Sequence, residues 1–129
     1  MSKQSPPLPT SIVLHRVRRT LELGYANGEK LELDAEYLRV FSPSAEVRGH
    51  GRGQEVLQWG KMGVAIGRLE PVGNYALQLI FDDEHDTGIY SWEYLYQLGQ
   101  EYQQNWQGYL AQLEQAGKNR DPSLQVLKL

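Results

Sequence analysis

The sequence predicts an α+β domain: a small, twisted, mostly antiparallel sheet of five or six short strands, with a long C-terminal helix packed on one face. Three observations predict it. Apolar and polar residues alternate in several short runs between residues 12 and 90, which is the period of a half-buried strand. Asn27-Gly28 and Gly73-Asn74 punctuate those runs as turns. Beyond Ser91 the apolar spacing changes to three and four, the period of an amphipathic helix.

The elements follow in order. Ile12, Val13, Leu14 and Val17 mark a strand near 12–17. Leu21, Leu23 and Tyr25 alternate with polar residues over 20–26, and Leu31 and Leu33 do so over 30–34. Asn27-Gly28 between them predicts a type I′ hairpin turn, since both residues tolerate a positive φ. Ala35 to Phe41 reads as a short helical turn, stopped by Ser42-Pro43 because proline disfavours helix at the residue before it. A second turn then opens at Pro43 with Ser42 as its N-cap. Arg48 to Gly63 carries five glycines and reads as a long loop. Loops of that length in a small domain are usually functional or mobile. Strands follow over 64–72, with a break at Gly67, over 75–81 and over 87–90. Ser91 caps the helix, whose stripe runs through Leu95, Leu98, Tyr102, Trp106, Tyr109 and Leu113 to a stop at Gly117.

A chain of 129 residues holds one domain. Residues 1–10, with three of the six prolines, read as a flexible arm, 11–116 as the domain, and 117–129 as a flexible tail. The chain has no cysteine. Disulfides, thiolate zinc sites, cysteine-held iron–sulfur clusters and a cysteine nucleophile are therefore excluded together. Thirteen basic residues against sixteen acidic leave a charge of −3. That balance argues against dedicated nucleic-acid binding, which draws its affinity from a basic face. No apolar run approaches the roughly 20 residues of a membrane helix, and the first nine residues hold no apolar stretch of a secretory leader. A cytoplasmic protein is the expectation.

Several segments carry candidate chemistry. Asp82-Asp83-Glu84-His85-Asp86 offers carboxylates and an imidazole suited to a divalent cation. In a calcium-loop register, however, Thr87 stands where the turn demands glycine. A solvated hairpin tip is the favoured reading of this run. Arg48-Gly49-His50-Gly51-Arg52-Gly53 could cradle an anion on backbone N–H groups. Its spacing matches neither the dinucleotide fingerprint nor the P-loop, and Gly60-Lys61 is followed by Met62 rather than Ser or Thr. No serine sits in a nucleophile elbow. His15-Arg16-Val17-Arg18-Arg19 reads as a charged edge that discourages aggregation. Trp59, inside the glycine-rich loop, is a candidate partner anchor.

The stretch Leu38-Arg39-Val40-Phe41-Ser42-Pro43-Ser44-Ala45-Glu46-Val47-Arg48-Gly49-His50-Gly51 carries a resemblance. With Leu31-Glu32-Leu33 before it and Phe81-Asp82-Asp83-Glu84-His85 after it, the chain resembles a family of small bacterial proteins of unknown function. That family is similar to the N-terminal domain of gamma-butyrobetaine hydroxylase. The likeness spans roughly residues 12 to 105. It implies a compact α+β domain with a small antiparallel sheet. In the hydroxylase the domain resembles a zinc-binding accessory unit with three cysteines and one histidine. Carried over, the histidine falls on His85 and the cysteines on Ser42, Ser44 and Val47. Neutral hydroxyls do not replace thiolates on zinc, and valine cannot coordinate, so the resemblance implies a lost zinc site. The oxygenase domain is absent from these 129 residues, so hydroxylase activity is not inherited. Similar domains accompany iron–sulfur carrier ATPases, which implies an accessory role.

The expected function is thus a non-catalytic accessory or protein-interaction module, with no cofactor, no resident metal and no catalytic residue. Its partner is an unidentified protein rather than nucleic acid or membrane. The expected interaction surface comprises Arg39, Ser42, Pro43, Ser44, Arg48, Gly49, His50, Arg52, Asp83 and His85. The alternative is a metal or small-ligand binder linked to iron–sulfur or metal-cofactor handling, using His85 with Asp83 or His50.

Overall fold

A computed structural model of the chain describes residues 7–49, 55–124, 127 and 129. The described residues form β1 (Pro9–His15), β2 (Thr20–Tyr25), β3 (Lys30–Asp34), α1 (Ala35–Val40) and α2 (Ala45–Arg48), then β4 (Ile66–Val72), β5 (Ala76–Phe81), β6 (Gly88–Ser91), α3 (Trp92–Gln100) and α4 (Tyr102–Ala116). The fold is α+β, as the hydrophobic periods predict. No helix among the described residues is long and apolar enough to cross a membrane.

The strands form two antiparallel sheets of three, β1-β2-β3 and β4-β5-β6, where one sheet was expected. The reason lies in the connection. β3 passes directly into α1, and both short helices intervene before β4. The sheets therefore meet through side chains rather than a shared ladder. Leu21, Leu23 and Leu33 of the first sheet join Ile66, Leu79 and Phe81 of the second in one cluster. Tyr37 and Leu38 of α1, with Leu95 and Leu98 of α3, complete it. All six residues of α1 are buried.

Local departures have local causes. β1 starts at Pro9, paired with Tyr25, so the described end of the expected arm is already sheet. At the β2–β3 hairpin only Gly28 takes a positive φ, 89°. Tyr25 N–H bonds Glu29 O at 2.9 Å across Ala26-Asn27-Gly28. This is a three-residue loop ending in a left-handed glycine, not a type I′ turn. Ser44 rather than Ser42 stands at the N-cap of α2, and its side chain makes no capping bond.

The single long helix expected from the stripe is two. Ser91 Oγ accepts Tyr94 N–H at 3.0 Å, capping α3 as predicted. The chain then turns at Glu101, and α4 runs to a left-handed Gly117. The two halves bury against different groups. Leu95 and Leu98 enter the main core, while Tyr109 and Leu113 pack with Val40 in a second cluster. Gly99 permits the close approach of α3 to β3: a Cβ there would lie 2.6 Å from Leu31 Cδ1.

The expected tail is tied down over residues 119–120. Gly60 N–H bonds Asn119 O at 2.9 Å and Met62 N–H bonds Arg120 O at 3.0 Å. Arg120 forks onto Glu36 at 2.8 and 2.7 Å, and its guanidinium lies 5.1 Å from the Trp106 ring centroid. Glu36 is only 7% exposed. Leaving its charge unpaired would be costly, which is why the tail docks despite its polar composition.

Candidate functional site

The site is built from the linker between α1 and α2, α2 itself, and the turn between β5 and β6. That turn is tight: Phe81 N–H bonds His85 O at 3.0 Å, and Glu84 takes φ 70°. Asp82, Glu84 and Asp86 point outward and are exposed, as a solvated tip requires. Asp83 and His85 turn inward.

His85 is 4% exposed and Ser42 1%. Ser42 Oγ lies 2.8 Å from His85 Nε2, and Ser44 Oγ lies 3.3 Å from the same nitrogen. On the other side of the ring, Nδ1 is 3.2 Å from Glu46 Oε2. That carboxylate sets the tautomer, because it can only accept. Nδ1–H therefore donates to Glu46, Nε2 accepts, and Ser42 O–H is the donor. Ser42 Oγ in turn accepts Ser44 N–H at 3.3 Å, and Thr87 Oγ1–H donates to Glu46 Oε1 at 3.0 Å. Burial pushes the His85 imidazole below its ordinary pKa. The charge of Arg39 acts in the same direction, against the opposing pull of Glu46 and Asp83. The ring is thus held neutral, which suits this tautomer.

Beside it lies a second network. Arg39 Nε donates to Asp83 Oδ2 at 2.9 Å and Lys61 Nζ donates to the same oxygen at 2.7 Å. Arg39 Nη1 also reaches Gln58 Oε1 at 3.0 Å. Burial alone would raise the Asp83 carboxyl, but the Lys61 hydrogen bond and the Arg39 charge outweigh it and hold the group low. These bonds join α1, the 57–61 segment and the β5–β6 turn.

Next to the networks, and touched by them only at Ser42 and Gln58, lies a groove of about 1160 Å3 between α2, residues 55–58 and α4. Val47, Val56, Tyr94 and Tyr109 contribute to its walls, with Arg48, Gln58 and Gln112 among its polar groups. Arg48 holds its guanidinium 5.1 Å from the Tyr94 ring centroid. Tyr94 O–H donates to Phe41 O at 2.6 Å and Tyr109 O–H to Gln58 O at 2.7 Å. Both rings are therefore fixed by backbone partners.

Of the expected surface, Arg39, Ser42, Ser44 and His85 converge but are buried. Their side chains bond one another or neighbouring elements. Pro43, Gly49 and Asp83 are half-buried and Arg48 is exposed. His50 and Arg52 lie outside the described residues, as do Gly51 and Gly53. Trp59 is 49% exposed and is covered on one side by Lys118, whose Nζ sits 4.7 Å from the ring centroid. Glu46, Gln58, Lys61 and Tyr94 belong to the site and were not singled out from sequence. Their partners in it lie mostly far away along the chain, and no local spacing marks such a pair.

The residues do not fit zinc. Two hydroxyls, a hydrocarbon and one imidazole replace a thiolate set, and each hydroxyl already contacts the imidazole nitrogen a metal would need. Away from this site, His15, Glu22 and Glu32 bring three ligand atoms within 4.8 Å of one another. There Arg18 forks onto Glu32 at 2.8 and 2.9 Å and supplies the positive charge the cluster needs. Among the described residues no other such cluster occurs.

Fold and site define a class: a small α+β domain in which a buried histidine pins a helix–linker–helix to a hairpin turn. The chain belongs to the gamma-butyrobetaine hydroxylase-like, N-terminal family, whose model matches residues 12–96. Two proteins solved in solution by NMR are similar to it. One is 50% identical, with TM-score 0.82, covering 97% of this chain and 98% of its own. The other is 46% identical, with TM-score 0.79, covering 100% of this chain and 98% of its own. A crystal structure from Acidithiobacillus ferrooxidans is also similar, at 37% identity and TM-score 0.59, covering 70% of this chain and 91% of that one. It is a protein of unknown function of the DUF971 family. No curated protein matches the chain.

Proposed function

We propose that the chain is a non-catalytic accessory module that binds a protein partner through the groove beside Arg48. One observation carries the reading: a groove of about 1160 Å3, in whose lining Tyr94 and Tyr109 are tied to backbone carbonyls, reaches Ser42 of the Ser42–His85 network. Its volume stands at the upper edge of small-molecule sites, about 300–1,000 Å3, and its lining spans three separate stretches of the chain, room enough for a segment of another chain. Burial of the polar cluster supports a bracing role over catalysis. Ser42, His85 and Glu46 have the contact order of a catalytic triad, but Ser42 is only 1% exposed, so little of its hydroxyl is open to a substrate. The lost zinc fits the same picture, with hydrogen bonds doing the bracing that metal bonds would do. Cytoplasmic residence belongs to this reading and rests on composition.

Site-specific photo-crosslinking tests it. A crosslinker at Gln112, which lines the groove, should trap a discrete partner in native lysate. One at Lys30, in the other sheet, should not trap it. Substituting Val56→Glu should abolish the Gln112 product. Equal products from Gln112 and Lys30, or a product indifferent to Val56→Glu, would remove the groove from consideration.

A further inference from the structure

We infer that the groove takes an extended, acidic peptide segment, a proposal that rests on the docking role above and adds the chemistry of the partner. The first support is breadth: the lining draws on the α1–α2 linker, α2, residues 55–58 and α4, more of the chain than one local turn would supply.

The second support is charge. Arg48 is exposed and lines the groove. Among the described residues no carboxylate lies within ion-pair distance of it. Among the described residues, the neighbouring arginines are committed, Arg39 to Asp83 and Arg120 to Glu36. The guanidinium of Arg48 lies against the Tyr94 ring, and no carboxylate among the described residues neutralises it. That pose suits a carboxylate, which an arginine fork grips with two parallel bonds. A pre-placed cation loses less side-chain freedom on binding, so more of the contact energy appears as affinity.

The third support is the remaining lining. Val56, 52% exposed, offers an apolar seat for a ligand side chain. The Gln112 amide lines the groove and can both donate and accept, as a peptide backbone requires, whereas the Gln58 amide is already bonded to Arg39 and to Val56 O. Glu55 is the one carboxylate of the described lining. It is exposed and has no stacking partner among the described residues, so it screens in water more easily than the held Arg48. It favours a backbone N–H or a basic residue at its own end.

Two blocked octapeptides test the chemistry, one alternating glutamate with valine and leucine, the other with lysine for glutamate. Each is titrated into isotopically labelled full-length protein and followed by amide shifts. The acidic peptide should move Arg48, Val56 and Gln112 and should bind about tenfold or more tightly than its lysine counterpart, the scale of a rim-to-core charge contact. Arg48→Glu should reverse the preference. Equal or stronger binding of the lysine peptide in the groove would overturn the acidic partner and leave the docking role standing. Shifts confined to other faces, or none at all, would also overturn the acidic partner. The Gln112 crosslink judges the docking role separately.

Discussion

Replacing Ser42 by alanine removes one oxygen from an almost fully enclosed position, 1% exposed. That oxygen donates to His85 Nε2 at 2.8 Å and accepts Ser44 N–H at 3.3 Å. A hydrogen bond of ordinary geometry contributes about 1 kcal/mol net, and a buried group left without a partner costs about 1–3 kcal/mol. After Ser42→Ala, His85 Nε2 keeps Ser44 Oγ at 3.3 Å, so the acceptor is weakened rather than orphaned. The expected loss is about 1–1.5 kcal/mol. Ser44→Ala removes only the longer contact and should cost about 0.5–1 kcal/mol. The double variant orphans the imidazole nitrogen inside the core. It should lose about 3 kcal/mol, more than the sum of the two, because each hydroxyl partly covers for the other. Urea unfolding at pH 7.5 with a shared m value reads all three differences. A double-mutant cycle that closes additively, with each single change near zero, would refute the tautomer and donor assignment at His85.

Two further predictions follow from the same contacts. The His85 pKa is lower in the folded protein than the unfolded value of about 6.5, so the unfolded chain binds the extra proton. Stability is therefore full above pH 6.5 and declines as pH falls through that value toward the folded pKa. Unfolding free energies at pH 7.5, 6.5 and 5.5 should show this decline, and it should shrink in His85→Gln; an equal slope in the variant would assign the effect elsewhere. Arg120→Ala strands the buried Glu36 carboxylate. Breaking a fully buried pair costs about 3–5 kcal/mol, but Arg120 is 38% exposed, and solvent screening lowers the expectation to about 1–2 kcal/mol. Thermal melting reads it, and rapid amide exchange at Gly60 and Met62 should accompany it. Unchanged melting and exchange would mean that the tail is not anchored by this pair.

Most elements were legible because their signals are carried by neighbours. Alternation in Leu21-Glu22-Leu23 and Leu77-Gln78-Leu79 sets strand faces two residues apart. Ser91 and Gly117 mark the ends of the helical region through bonds to residues three or four away. The site was less legible. Spacing and composition pointed to the 42–50 and 82–86 segments, and only the family resemblance joined Ser42 and Ser44 to His85. Nothing local distinguished Asp83 and His85, which turn inward, from Asp82, Glu84 and Asp86, which face water.

Composition and periodicity alone therefore establish an α+β chain without thiolate chemistry, and they place its strands and helical stretches to within a few residues. Three-dimensional packing settles the rest: the split into two sheets, the turn at Glu101, the docking of Arg120 on Glu36 and the choice of which polar groups go inside. Each depends on contacts between residues tens of positions apart, such as Arg39 with Asp83 and Glu36 with Arg120. A short-period pattern records which face of an element is apolar. It holds no record of which distant charge will arrive to make burial of a carboxylate or an imidazole affordable.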